Sequence, residues 1–265
     1  MKPIIAISSC ILGNKVRYDG GDTHEVWVSA KLATYFELKA ICPEMEMGLG
    51  APRETMNLID SNFENEGQRN IRLITTKTKQ DLTGLAIDSI DKIILRDGTG
   101  VCGHIFQQRS PSCGVEQVKL YNSKDELIIT TNNNQGLYAK EFIKRFPFVP
   151  VIESLKLSNI RERENFLCRV MAYYRFNSLQ ASIPILQDFH KRYKLILMDH
   201  SESMTNQLNL IVDNDKENDC LSVFENYKKL FFETLALLPI NKIQDCHFLK
   251  DQYHFDPFPI ELSEK

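Results

Sequence analysis

The chain has 265 residues, 43% of them apolar and 25% charged, with 12 glycines and 10 prolines, a composition that excludes disordered, collagen-like and coiled-coil proteins. Its formal net charge of −3 excludes a uniformly basic nucleic-acid binder. No run of about 18 apolar residues occurs, and the opening Met1-Lys2-Pro3-Ile4-Ile5-Ala6-Ile7-Ser8-Ser9-Cys10 is too short and polar-ended for a signal peptide, so a cytoplasmic protein with no membrane attachment is expected.

In chain order, residues 4–8 form a short apolar run that reads as a buried strand, ending in the turn Cys10-Ile11-Leu12-Gly13-Asn14. Residues 26–36 have helical spacing, and 38–42 read as a second strand stopped by Pro43. The polar stretch 57–70 reads as a surface loop. A third strand is expected at 72–76, a helix at 82–95, a fourth strand at 101–107, then strands at 117–121 and 148–152 around a helix at 136–146. Beyond Pro150 strand signals vanish, and helical patterns occupy 160–176, 184–199 and 221–238. Alternating strands and helices predict an α/β domain over 1–155, a mostly parallel sheet with helices on both faces in the Rossmann or flavodoxin manner. A small all-α domain is expected over 156–265.

Seven cysteines, Cys10, Cys42, Cys102, Cys113, Cys168, Cys220 and Cys246, are an odd number at irregular spacing. In a reducing compartment they are buried thiols, metal ligands or nucleophiles rather than disulfides. Cys10, Cys42 and Cys113 fall just after predicted strands or in the loops that follow, where a parallel sheet gathers its ligands. They sit in Ser8-Ser9-Cys10-Ile11-Leu12-Gly13, Cys42-Pro43-Glu44 and Arg109-Ser110-Pro111-Ser112-Cys113-Gly114, turns whose backbone N–H groups help to stabilise thiolates and cluster sulfurs. A structural zinc site wants four ligands, commonly in close pairs that are absent here. An iron–sulfur cluster normally takes four cysteines, so three would leave one iron open as a Lewis acid. Cys102, inside a strand pattern, either completes the set or is simply buried. Cys168, Cys220 and Cys246 read as buried thiols, and His190 and His200 as structural histidines.

Ser-Ser-Cys-Ile-Leu-Gly, then Arg17-Tyr18-Asp19-Gly20, then Cys-Pro-Glu, then Ser-Pro-Ser-Cys-Gly, in this order and spacing, resemble the iron–sulfur-dependent thiouracil desulfidases over roughly residues 1–152. The resemblance implies a 4Fe-4S cluster on Cys10, Cys42 and Cys113 with one open iron. It assigns Glu44 as the catalytic acid or base and Ser110 as a catalytic, substrate-side serine, with Arg17, Asp19, Arg53 and Ser112 as neighbours of the substrate. For Ser112 a turn hydrogen bond is the simpler role. Glu44 would activate a water or shuttle a proton at a ring carbon made electrophilic by the cluster, and the base would keep oxygen while hydrosulfide leaves.

Arg163-Glu164-Asn165-Phe166 and the stretch from Phe189 to Ser201 are similar to the helical domain fused behind the desulfidase domain in two-domain members, which act on 4-thiouridine in transfer RNA. That implies an RNA-contacting role for Arg161, Arg163, Arg169, Lys191, Arg192 and Lys194, and a target base that leaves its stack. The likeness fades after about Val212, where the chain turns acidic. Desulfuration of free thiouracil or a thionucleoside is the same-chemistry alternative. A non-catalytic iron–sulfur or zinc sensor, or an RNA-binding adaptor, is the alternative of another class, and it expects a fourth protein ligand such as Cys102.

Overall fold

The computed structural model describes residues 2–63, 69–128, 134–213 and 219–240. The run Ile4-Ile5-Ala6-Ile7-Ser8 forms strand β1 (Ile4–Ser8). It is apolar on both faces because it lies inside a sheet: β2 (Glu37–Ile41) and β5 (Val101–Phe106) pair with its two edges in parallel. Strand β7 (Val151–Glu153) pairs in parallel with β5, giving the all-parallel order β2-β1-β5-β7. The chain leaves β1 toward β2 on one side and later returns to β5 on the other. The topological switch point therefore lies at the carboxyl ends of β1 and β5, where such sheets bind ligands.

Between β1 and β2, a π-helical turn (Trp27–Leu32) runs into the short α1 (Ala33–Tyr35). A single turn of helix, α2 (Pro43–Glu46), follows β2 and begins at Pro43, whose missing N–H costs nothing there. Ala86, Ile90, Ile93 and Ile94 bury one face of α3 (Thr83–Asp97), and Tyr138, Ala139 and Phe142 bury one face of α4 (Leu137–Arg145).

Residues 57–60, expected as loop, belong instead to β3 (Met56–Asp60). This strand pairs antiparallel with β4 (Ile71–Thr75) and parallel with β6 (Leu120–Asn122), forming a second sheet of order β4-β3-β6. The strand expected at 72–76 thus does not join the parallel sheet. Met56 and Leu58 are buried in a second apolar core with Met47, Leu73, Leu82, Ala86, Val118, Leu120 and Ile128, while the intervening Asn57 makes the segment read as polar. Part of the expected loop, residues 64–68, lies outside the described residues.

The chain divides into two compact units, one of Met1–Pro147 with Val151–Leu155, the other of Phe148–Pro150 with Lys156–Lys265. The second unit is helical: α5 (Ile160–Asn177), α6 (Ile183–His200), α7 (Glu202–Asp213) and α8 (Cys220–Ala236). Asn159 caps α5 by accepting from the backbone N–H groups of Arg161 and Glu162 at 3.0 and 3.4 Å. Its core is aromatic, with Phe176 packed against the rings of Phe189, Phe224, Tyr227, Phe231 and Phe232. Among the described residues no helix is long and apolar enough to cross a membrane.

Candidate functional site

Three turns bring the three loop cysteines to one cavity of about 600 Å³ at the switch point. Cys10 lies in the tight turn after β1, closed by Gly13 at φ +87°, a left-handed conformation that favours glycine, with the Gly13 N–H on the Cys10 carbonyl. Cys42 is the residue before α2. Cys113 lies in the loop after β5, where Ser110 Oγ accepts from the backbone N–H groups of Ser112 and Cys113 at 3.2 and 3.0 Å. A Cβ on Gly136 would stand 2.5 Å from the carbonyl carbon and oxygen of Ser112 and 2.9 Å from the Cys113 nitrogen. Glycine at 136 is therefore what lets α4 start against that turn.

Glu44 stands among the thiols, buried, with Oε2 accepting from Cys42 Sγ at 3.4 Å. Arg53 Nη2 approaches the same oxygen at 3.9 Å. The guanidinium is held by donating from Nη1 to the carbonyls of Val16 and Gly50 at 2.7 and 2.9 Å. A half-buried arginine fixed by two carbonyls is a preorganised partner for a carboxylate. Burial pushes all three thiols up, Cys42 to about 12 and Cys113 well above its ordinary value, and the Glu44 charge adds to the rise at every one of them. The carboxylate is thus within electrostatic reach of all three sulfurs at once.

The cavity wall contains Cys10, Cys42, Cys113, Glu44, Ser110, Arg17 and Arg53. Two expected substrate neighbours are not on it. The Asp19 carboxylate accepts from the Gly21 N–H at 3.0 Å and pairs with Arg17 at 3.6 Å, so it shapes the turn. Ser112 is buried, and its carbonyl accepts from the Ala139 N–H at 3.1 Å. Cys102 is also absent from the wall. It belongs to the amino-terminal end of β5, with Sγ donating to the Gly100 carbonyl at 3.5 Å. Sequence reasoning missed Gln107, Thr23, Asn57, Lys119 and Tyr121, which line the same space. Asn57 and Tyr121 come from the second sheet, whose strands are short and half polar, and Lys119 immediately precedes its strand β6.

In the helical unit, the six expected RNA contacts do not share one environment. Arg163 is buried, with Nη1 donating to the Leu157 carbonyl at 3.4 Å, and burial pushes the Arg169 guanidinium down to about 10. Arg163 is thus enclosed by the fold, and Arg169 is half-buried on α5. Arg161, Lys191, Arg192 and Lys194 are exposed, although Arg161 donates to the Pro239 carbonyl and Arg192 pairs with Asp188 at 2.8 Å. His190 is buried between the Tyr227 hydroxyl and Asn209 Oδ1 at 3.1 and 3.0 Å, and His200 Nδ1 meets the Leu237 carbonyl at 2.7 Å. Cys168 is buried within α5, and Cys246 lies outside the described residues.

Among the described residues no three Cys, His, Asp or Glu side chains converge closely enough to hold a single metal ion. The three thiols are instead distributed over the cavity wall around Glu44. Soft sulfur donors spread in this way fit a multi-iron cluster, whose positive charge would favour the thiolate forms that burial and Glu44 oppose.

A family model described as 2-thiouracil desulfurase matches residues 5–154. A solved structure of a 4Fe-4S-dependent thiouracil desulfidase, TudS, is 24% identical, with a TM-score of 0.44, covering 60% of this chain and 94% of that one. No curated protein matches the chain.

Proposed function

The chain belongs to the 2-thiouracil desulfurase family, an enzyme that removes sulfur from a thiolated pyrimidine, and from that premise we propose how its cavity acts and on what. Cys10, Cys42 and Cys113 hold a 4Fe-4S cluster by three thiolates. When bound, the cluster supplies a Lewis-acidic iron for the thione sulfur. Glu44 takes the proton of a water whose oxygen adds to the ring carbon, and the C–S bond then breaks with hydrosulfide as the leaving group. Water and thiobase become oxobase and hydrogen sulfide, so no electron donor or acceptor is consumed. Arg53 holds the Glu44 carboxylate in register. Ser110 Oγ, which already accepts two backbone N–H groups, keeps its own proton to orient the ring.

The observation that carries this reading is the meeting of three cysteines from distant parts of the chain with one buried carboxylate in a single cavity. The finer substrate we propose is 4-thiouridine within transfer RNA, with the helical unit holding the RNA. The exposed Lys191 and Lys194 on α6 and the cationic Arg161 and Arg192 support it. Anaerobically, cluster-loaded protein is given transfer RNA carrying 4-thiouridine and, separately, free 4-thiouracil. Loss of thione absorbance from the RNA at the higher kcat/KM, weakened as salt rises and reduced by Lys191→Glu with Lys194→Glu, is the expected result. Turnover of the free base alone would limit the substrate to small thiobases.

A further inference from the structure

Cys113 is carried by the loop that leaves β5 after Phe106. Strand β7 pairs with β5 in a register that sets its last residue, Glu153, opposite Phe106. The Glu153 side chain is buried and reaches past the cysteine to the far end of that loop. There one oxygen, Oε1, accepts from the backbone N–H groups of Val115 and Glu116 at 2.7 and 3.1 Å. At the near end of the loop, the adjoining Ser154 donates from Oγ to Gln108 Oε1. Two consecutive residues at the rim of the sheet thus clasp both ends of the loop, with residues 109–114 between them.

The start of α4 holds the middle of the same loop by its acceptors, the Leu137 and Ala139 N–H groups donating to the Pro111 and Ser112 carbonyls at 3.0 and 3.1 Å. The donors that follow the cysteine are met from the other side, by Glu153. Removing that oxygen strips two backbone N–H groups of a charge-assisted bond and frees the chain two residues beyond Cys113. We propose that Glu153 is a positioning residue for Cys113, which by holding the two N–H groups just past it keeps the third sulfur in register with Cys10 and Cys42 for the cluster, an inference that rests on the desulfidase reading above. Because a single atom takes both bonds, the reach of that oxygen matters more than the charge behind it.

The test compares the full chain as wild type, Glu153→Gln, Glu153→Asp and Asp60→Ala. Glutamine keeps an oxygen at the same reach without the charge, and aspartate keeps the charge one carbon short of the loop. Asp60 is the matched control, a buried carboxylate in the second sheet whose Oδ1 accepts from the Asn62 and Asn70 N–H groups at 3.1 and 3.2 Å. Each protein is loaded anaerobically with iron and sulfide, and its loss of iron to a chelator is timed. Separately, cluster-free protein is alkylated with iodoacetamide, and Cys113 is read against Cys10 and Cys42 by peptide mass spectrometry. Glu153→Asp is expected to lose iron roughly tenfold faster or more and to speed the alkylation of Cys113 alone, whereas Glu153→Gln stays within about threefold of wild type on both. Asp60→Ala is expected to lower thermal stability without moving either. Wild-type behaviour of Glu153→Asp, or a loss in Glu153→Gln that Glu153→Asp does not share, would overturn the proposal, as would equal loss of iron in Asp60→Ala. A Glu153→Asp protein that does not fold would make the residue a general requirement of the fold and overturn it too. Wild type that takes up no cluster would instead sink the desulfidase reading, and the alkylation of Cys113 would still decide the role of Glu153.

Discussion

Replacing Glu44 by glutamine removes a charge from the middle of three thiols while keeping the shape of the side chain. In the protein without its cluster, the Cys42 thiol is pushed from 9.0 to about 12, by burial first and by Glu44 second. Two unit charges 3.4 Å apart, the Cys42–Glu44 separation, interact by about 1.2 kcal/mol in a water-like dielectric, a factor of about 8 in thiolate population. If Glu44 instead supplies half of the whole rise, the factor is about 30. Glu44→Gln should therefore speed alkylation of Cys42 by iodoacetamide at pH 8 by about 8- to 30-fold, read by peptide mass spectrometry. Cys10 and Cys113, which feel the same charge, should also speed up. Cys102 is raised by burial without Glu44 and is the internal control. An unchanged Cys42 rate, or an equal acceleration at Cys102, would refute the placement of Glu44 among the thiols. The linkage has a definite sign. A thiol higher in the folded chain than in the unfolded one contributes stability below pH 9 and loses it as pH rises toward 12. For Cys42 that loss is at most about 4 kcal/mol, and Glu44→Gln should shrink it.

Cys10→Ala, Cys42→Ala or Cys113→Ala should each remove iron and sulfide release together, whereas Cys102→Ala should leave both intact; iron assay and turnover decide it. Arg53→Lys loses the bonds to the Val16 and Gly50 carbonyls, so it should lower unfolding stability by about 2–4 kcal/mol and slow turnover about tenfold through a loosened Glu44, seen by denaturant titration and kcat. Gly136→Ala forces a Cβ against the Ser112 carbonyl and should lower iron content by shifting the Cys113 turn, while Gly84→Ala, where a Cβ meets nothing within 4 Å, should not.

The parallel sheet was legible because β1 and β5 are buried on both faces and their apolar runs are bounded by turns. Its rim was legible too, since Cys10, Cys42 and Cys113 each follow a strand directly or through one loop, and the switch point does the rest. The second sheet was not. In β3 a single inward alternation, Met56 and Leu58 around Asn57, is shorter than a reliable period and sits in polar sequence. The helix α7 was hidden similarly, with Thr205, Leu208 and Val212 as its buried positions, and its cap, Ser201 Oγ accepting from the Met204 N–H at 3.3 Å, falls in the stretch read as the end of the preceding helix. Of the RNA contacts that the resemblance implies, Arg163 is enclosed by the fold against the Leu157 carbonyl, because a helix in an aromatic core covers cationic stems along with its apolar side chains. Gln107 carries no sequence signal; its place on the cavity wall follows only from the fold, which ties its N–H to Ser8 at the end of β1.

The most direct test of the central claim is stoichiometric. Full-length wild-type protein, loaded with iron and sulfide under anaerobic conditions and freed of excess reagent, is given transfer RNA carrying 4-thiouridine and, separately, 2-thiouracil, in water with no reductant. The account predicts catalytic turnover, one hydrosulfide and one oxobase for each thiobase consumed, continuing past the number of clusters present. Fully loaded protein that releases no sulfide from either substrate, or that needs an electron donor to do so, would contradict it.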